Sequence, residues 1–527
     1  MRKTVVAALT AALLTSVAVA GWASGAEDKK DKGGDDAPKN EKVAEQIEAA
    51  TARAPVTESS KTTSHTVTIK GKSIRYQATA GTLTIRDNDG KPTASVFYVA
   101  YTAEGASPAK RPVTFLYNGG PGSASLWLHM GSFGPIRVRT ASPDNNAPAP
   151  YNFSANDDSL LDKTDLVFID AIGTGYSRPL GEAKGKDFWG VDQDVDGFAR
   201  AIGRYVTLNN RWNSPKFLFG ESYGTTRSAA LSNRLQQDGM DLNGVILLSS
   251  ILNYGIGQPG YDEGYIAFLP SYAATAWYHN RIPNKPADLA AFVQQVRVFA
   301  RGPYAAALAK GQTITPEEED AVAKQMSALT GLSVDYLKRA KLRVDLFRFQ
   351  KELLRDKRQT VGRFDSRFLG VDTDAAGEGP EYDPSDSAIN SAFISSLRAY
   401  LGGELGYKTD LEYRVGSDEA NEQWDWHHKV PSVGRMEVPD VALDLSLAMR
   451  QNPHLQVLSL NGYYDMATPF FATEYDINHM ALEPAQRKNL TFKYYPSGHM
   501  IYLNPDALKQ LVVDLDAFYD KTAPGGA

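Results

Sequence analysis

A serine becomes a nucleophile only when a base takes its proton and a third group holds that base in place. Ser222 lies in Gly220-Glu221-Ser222-Tyr223-Gly224, a Gly-x-Ser-x-Gly pattern. The apolar run Phe217-Leu218-Phe219 precedes it, and an amphipathic run through Ala229, Leu231 and Leu235 follows. Strand, tight turn and helix is the setting in which such a serine stands exposed at the tip of a strained turn. The base expected for it is His499, in Ser497-Gly498-His499-Met500, just past a strand that ends at Tyr495. The acid expected to orient that base is Asp465, in Asn461-Gly462-Tyr463-Tyr464-Asp465, just past a strand that ends at Leu460. Strand ends are where an open α/β sheet gathers its chemistry. By contrast, His65 falls in a surface strand, and His427-His428 follow two tryptophans in a helical region. Acyl transfer also needs donors for the tetrahedral oxyanion. Asn118-Gly119-Gly120-Pro121-Gly122 follows another strand, and its glycines let backbone N–H groups come close to a substrate. Taken alone, it is also simply a good turn.

These residues need a sheet to hold them. Period-two alternation over residues 64–102, broken by Gly71-Lys72 and Asp87-Asn88-Asp89-Gly90, predicts antiparallel strands that begin it. Continuous apolar runs at 113–117, 166–169, 217–219 and 245–248 predict buried parallel strands, and runs at 455–460 and 490–495 add two more. This is the α/β pattern. Between about 258 and 440 the strand signal fades and helical spacing takes over, as in Leu289, Phe292, Val293, Val296 and Phe299. Thr315-Pro316-Glu317-Glu318 combines an N-cap, a first-turn proline and a capping-box glutamate. The acidic stretch from Asp372 to Pro384 opens like a calcium loop. It has Ala376 where a ligand is needed and ends on Asp383 rather than Glu, so it reads as a solvated loop.

The N-terminus carries a different signal. Arg2 and Lys3 precede an apolar stretch from Val5 to Ala20, and small residues at Ala18-Val19-Ala20 or Ser24-Gly25-Ala26 offer cleavage sites. Residues 1–26 are expected to be a signal peptide, and the charged stretch 27–60 a disordered linker. The expected location is periplasmic or extracellular, with no stable membrane anchor. The rest divides into a first core part at 61–257, a helical insertion at 258–440 and a second core part at 441–527. With no cysteine in 527 residues, disulfides, thiol nucleophiles, zinc–cysteine sites and iron–sulfur clusters are excluded. A net charge of −6 gives no basic surface for nucleic acid.

Together these motifs resemble the signature blocks of the serine carboxypeptidase family. They are Asn118-Gly119-Gly120-Pro121-Gly122-Ser123, Leu166-Val167-Phe168-Ile169-Asp170 running into Gly173-Thr174-Gly175-Tyr176-Ser177, the Ser222 elbow, the Asp465 loop and Gly498-His499-Met500. Arg211-Trp212-Asn213-Ser214-Pro215-Lys216 and Leu269-Pro270-Ser271-Tyr272-Ala273-Ala274-Thr275 are similar to its bacterial branch. The resemblance spans about residues 95–515. It implies an α/β-hydrolase fold with a central, mostly parallel sheet, N-terminal antiparallel strands and a helical lid insertion. It implies a Ser222–Asp465–His499 triad, in that family's chain order, and an oxyanion hole from the N–H groups of Gly120 and Tyr223. Asn118 and Glu221 would bind the terminal carboxylate of a peptide. Neither metal nor organic cofactor is implied.

The resemblance therefore points to a serine-type carboxypeptidase acting on peptides with a free C-terminus. An esterase or acyltransferase on the same machinery is the alternative. A glutamate beside a bound carboxylate must carry a proton, because two carboxylates in contact do not both ionise easily. The sequence departs from the family at Ser123, often cysteine there, and at Ser132, where a glutamate commonly pairs with the elbow glutamate. A milder preference for acid pH is expected from Ser132.

Overall fold

The apolar runs lie side by side in one sheet. The computed structural model describes residues 54–431 and 433–523. Three long strands come first: β1 (Ser60–Ile69), β2 (Lys72–Arg86) and β3 (Pro92–Ala103). Six shorter ones follow: β4 (Val113–Tyr117), β5 (Asp165–Ile169), β6 (Lys216–Glu221), β7 (Gly244–Leu248), β8 (Gln456–Gly462) and β9 (Leu490–Tyr495). Their spatial order is β1-β2-β3-β5-β4-β6-β7-β8-β9, and a two-residue strand, Arg178–Pro179, pairs beside β3. The first three strands run antiparallel to their neighbours, and every pair from β5 to β9 is parallel. The β1–β2 turn uses Lys70 (φ 49°) and Gly71 (φ 79°), the left-handed pair that a two-residue hairpin needs.

Nine helices matter to the site: α1 (Val191–Leu208), α2 (Tyr223–Gln237), α3 (Glu263–Tyr278), α4 (Leu289–Phe299), α5 (Pro316–Thr330), α6 (Asn390–Ala399), α7 (Ala442–Gln451), α8 (Phe470–Asn478) and α9 (Pro505–Thr522). Phe198 and Ile202 of α1, Leu231 of α2 and Leu445 of α7 pack on one face of the sheet. Phe393 of α6 and Leu511 and Leu515 of α9 pack on the other. Burial on both faces is why β4 to β8 read as apolar runs, whereas β9, expected to be buried, is the edge strand and is only half-buried up to Tyr495. Burial on both faces also explains β3, whose centre is buried continuously instead of alternating. A third core joins α3 and α4 to Tyr463, Tyr464 and Phe470, so the loop after β8 is seated in the helical region. Among the described residues, no helix is long and apolar enough to cross a membrane.

Local chemistry sets the helix ends. Thr315 and Glu318 exchange side-chain-to-backbone bonds of 3.3 and 3.1 Å at the start of α5, and Gly331 at φ 73° ends it. The acidic stretch 372–384 is not simply solvated. Asp372 is buried in an ion pair with Lys351, and Glu381 accepts from the Thr373 and Asp374 backbone. Lys351 supplies the counter-charge that makes this burial tolerable. The expected signal segment, 1–26, lies outside the described residues, as does the charged stretch up to residue 53. Past it, Glu58 already accepts from the Thr84 N–H and pairs with Arg204 at 2.9 Å.

His428 pins the helical region to the sheet-covering helices. Its Nδ1 meets Asp192 of α1 at 2.6 Å and its Nε2 meets Asp444 of α7 at 2.7 Å. Burial opposes the imidazolium, but the two carboxylates prevail and push His428 up to about 9. A base raised on folding stabilises the fold fully below its unfolded value and loses that contribution as pH rises through the folded one. His428→Gln should therefore lower the melting temperature most near pH 6, by the equivalent of at most about 3 kcal/mol. The difference from wild type should shrink as pH rises from about 6.5 and be lost above about 9. Thermal melts at a series of pH values check this, and a difference independent of pH would refute the charged clamp.

Candidate active site

Ser222 is the hinge between β6 and α2. Its backbone sits at φ 61°, ψ −130°, a strained conformation for a residue with a side chain. Its N–H donates to the Leu248 carbonyl at the end of β7. Gly220 is required here, because a Cβ would stand 2.0 Å from the Gly224 carbonyl oxygen. Ser222 is partly exposed, whereas Asp465 and His499 are buried.

Asp465 and His499 come together from the ends of β8 and β9. His499 Nδ1 lies 2.8 Å from Asp465 Oδ2. Asp465 Oδ1 accepts from the N–H groups of Ala467 (2.8 Å) and Thr468 (2.9 Å). The Thr468 hydroxyl lies 2.8 Å from Asp465 Oδ2, 3.1 Å from His499 Nδ1 and 2.9 Å from the Ser249 carbonyl. The imidazole backbone is held too, since His499 N–H donates to Phe364 at 2.6 Å and its carbonyl accepts from the Ser249 hydroxyl at 2.7 Å. Burial works against the imidazolium, but Asp465 and then Glu221 hold His499 above its ordinary value, with Arg363 opposing. The structure joins Asp465 to His499 by a hydrogen bond and makes none between the Ser222 hydroxyl and His499 among the described residues.

The glycine turn after β4 abuts the elbow. A Cβ on Gly119 would lie 2.3 Å from the Tyr223 nitrogen, so only glycine allows this approach. Among the described residues, the N–H groups of Gly120 and Tyr223 have no acceptor. Segment 415–421 steadies the turn: Ser417 N–H donates to Gly122 (2.8 Å), and Ala124 N–H donates to Val415 (2.9 Å). Below it, Arg227 is fully buried. It is paired with Asp194 at 2.6 Å, and its Nη1 donates to the Asn118 carbonyl at 2.8 Å. That guanidinium fixes the turn, α1 and α2 relative to one another.

Asn118 and Glu221 also meet. Asn118 Nδ2 donates to Glu221 Oε1 at 3.0 Å, and Asn118 Oδ1 accepts from the Leu128 N–H at 2.9 Å. Burial pushes Glu221 up to about 7 with help from Asp465, against His499, Tyr502 and Asn118. The Tyr502 hydroxyl stands beside Glu221 but short of good geometry, so it and Glu221 Oε2 each keep an open valence. Ser132 is buried and turned back to the Leu128 carbonyl. Sequence reasoning missed Tyr502, Thr468 and the Arg227–Asp194 pair. Tyr502 and Thr468 each sit three residues beyond an expected site residue, and that spacing was the available signal.

The sheet order, the strained turn after β6 and the strand-end loops define an α/β-hydrolase fold. The serine carboxypeptidase family profile matches residues 70–351, more than half of the chain, and the chain belongs to that family. Among curated proteins it is similar to Serine carboxypeptidase-like 33 of Arabidopsis thaliana, 27% identical over 181 residues, which covers 33% of this chain and 35% of that one. Serine carboxypeptidase-like 20 of the same plant is 24% identical over 202 residues, covering 36% and 37% respectively. The chain thus spans about a third of the length of these curated relatives. Among solved structures it is similar to a proline iminopeptidase of Mycobacterium smegmatis, with TM-score 0.36 and 15% identity over 85% of this chain and 100% of that one. A monoglyceride lipase of Saccharomyces cerevisiae gives TM-score 0.34 and 12% identity over 84% and 95%.

Proposed function

We propose that this protein is an exported serine carboxypeptidase that removes C-terminal residues from peptides through an acyl-enzyme. Ser222 is the nucleophile, His499 its base and then the acid for the leaving amine, and Asp465 orients and stabilises the imidazolium. The free N–H groups of Gly120 and Tyr223 receive the oxyanion. The observation that carries the peptidase reading is the buried Asn118–Glu221 pair next to the elbow. A protonated Glu221 and the Asn118 amide are donors suited to a carboxylate, and an ester substrate offers none.

Protonation couples the two halves of the site. Binding needs neutral, protonated Glu221, and attack needs neutral His499. The ion pair of ionised Glu221 and imidazolium carries the same number of protons and is unproductive, so pH alone does not separate the two forms. Glu221 favours the clamp below about 7, and the preference for a terminal carboxylate should fade as pH rises through that value. A bound carboxylate raises Glu221 further, so kcat should fall at higher pH than kcat/KM.

The test is the specificity constant for one peptide as free acid and as C-terminal amide across pH. The acid should be cut about 10- to 100-fold faster below pH 7, the worth of a hydrogen bond to a charged group. Glu221→Gln should flatten the pH dependence of that ratio. Equal rates for acid and amide at every pH would point to an esterase or acyltransferase.

A further inference from the structure

Beside the elbow lies a cavity of about 120 Å³. A cavity of about 150 Å³ accepts one benzene ring, so this one suits a single side chain. Its walls are mostly apolar: Ile251, Tyr254, Phe268, Trp426, Pro469 and Ala472. They adjoin the site at several points. Pro469 follows Thr468, Trp426 lies edge-on to Tyr223 with centroids 6.2 Å apart, and the Tyr254 hydroxyl meets Thr226 of α2 at 3.1 Å. Two polar groups break the apolar lining without being satisfied. Asp476 is 4% exposed and, among the described residues, its Oδ1 has no partner and the buried Ser250 hydroxyl has none either.

A carboxyl buried without a close counter-charge keeps its proton, and a cation entering a side-chain-sized cavity beside it can displace that proton. Burial, with Asp440 and Glu263, pushes Asp476 well above the carboxylate range, and Arg301 opposes. Arg301 pairs with Glu263 through Nη1 at 2.5 Å, and its buried Nη2 has no hydrogen-bond partner among the described residues. Glu437, also on the wall, is matched by His427 at 2.9 Å.

We propose that this cavity selects a substrate side chain with an apolar stem and a cationic tip, with Asp476 as its counter-charge and Ser250 as a second acceptor. As a statement about peptides it rests on the carboxypeptidase reading. The apolar walls would cover the methylenes of a lysine, and the ammonium would displace the Asp476 proton to solvent and donate to the resulting carboxylate and to Ser250.

Two experiments test it. The first compares peptides that differ only by lysine or norleucine, placed at the last or the next-to-last residue. At one of those positions lysine should be favoured at least about tenfold, the strength of a charge-assisted hydrogen bond. In Asp476→Asn that lysine-to-norleucine ratio should collapse to near unity. The second needs neither peptides nor a variant: n-pentylammonium should inhibit p-nitrophenyl acetate hydrolysis at least about tenfold more strongly than n-pentanol. An ammonium no better than the alcohol, or a lysine ratio unchanged by Asp476→Asn, overturns the assignment. Ammonium-selective inhibition with no cleavage of any peptide would retain the cavity's selectivity and reject the peptidase reading.

Discussion

Ser222→Ala should lower kcat by about 10⁶-fold, leaving only the residual catalysis of the oxyanion donors and of binding. The fold should survive, because the Ser222 hydroxyl makes no hydrogen bond among the described residues, whereas its backbone N–H, which alanine retains, holds the Leu248 carbonyl. Alanine at φ 61° keeps the strain of the elbow. Ser222→Gly relieves it, and should melt above the alanine variant by the equivalent of about 1 kcal/mol. The three measurements are turnover, labelling by a fluorophosphonate and thermal melting. Labelling should vanish in both variants. More than a few per cent of wild-type turnover in Ser222→Ala would move the nucleophile to another residue.

The parts of this site legible in the sequence are those tied to backbone constraints. Gly220 and Gly224 mark the elbow because neither position has room for a side chain. Asp465 and His499 could be picked out because each follows a run that reads as a strand, buried in β8 and half-buried in the edge strand β9. What stayed hidden depends on pairing across space. Arg227 and Asp194 lie on different helices, and neither has a neighbour in sequence that predicts the other. Thr468 and Tyr502 contribute single hydroxyls, which leave no periodicity. Segment 362–366 reaches the histidine through the Phe364 carbonyl, a group every residue carries. Asp372 shows the reverse problem: acidic composition predicts a solvated loop, yet one distant lysine decides that its first carboxylate is buried.

Asp465→Asn should cost about 10⁴-fold in kcat while changing KM only a few-fold, and the geometry says why. The asparagine carbonyl can keep the two N–H groups of Ala467 and Thr468 that now hold Oδ1. Its NH₂ then occupies the place of Oδ2 and faces His499 Nδ1, donor against donor. The imidazole relieves this by moving its proton to Nε2, and in that tautomer it cannot accept the proton of Ser222. Thr468 makes this site different from a bare acid–base pair. Its hydroxyl lies 3.1 Å from His499 Nδ1 and can accept that N–H in place of the lost carboxylate. Some of the productive tautomer should therefore persist in Asp465→Asn. Thr468→Val alone, with Asp465 intact, should lose only about tenfold, one hydrogen bond's worth. Added to Asp465→Asn it should lower kcat by more than it does alone, because it removes the remaining acceptor. Steady-state kinetics on the two single variants and the double variant measure this coupling. Unchanged turnover in Asp465→Asn would remove Asp465 from the triad. Strict additivity in the double variant would leave Asp465 in place and show that Thr468 does not substitute for it.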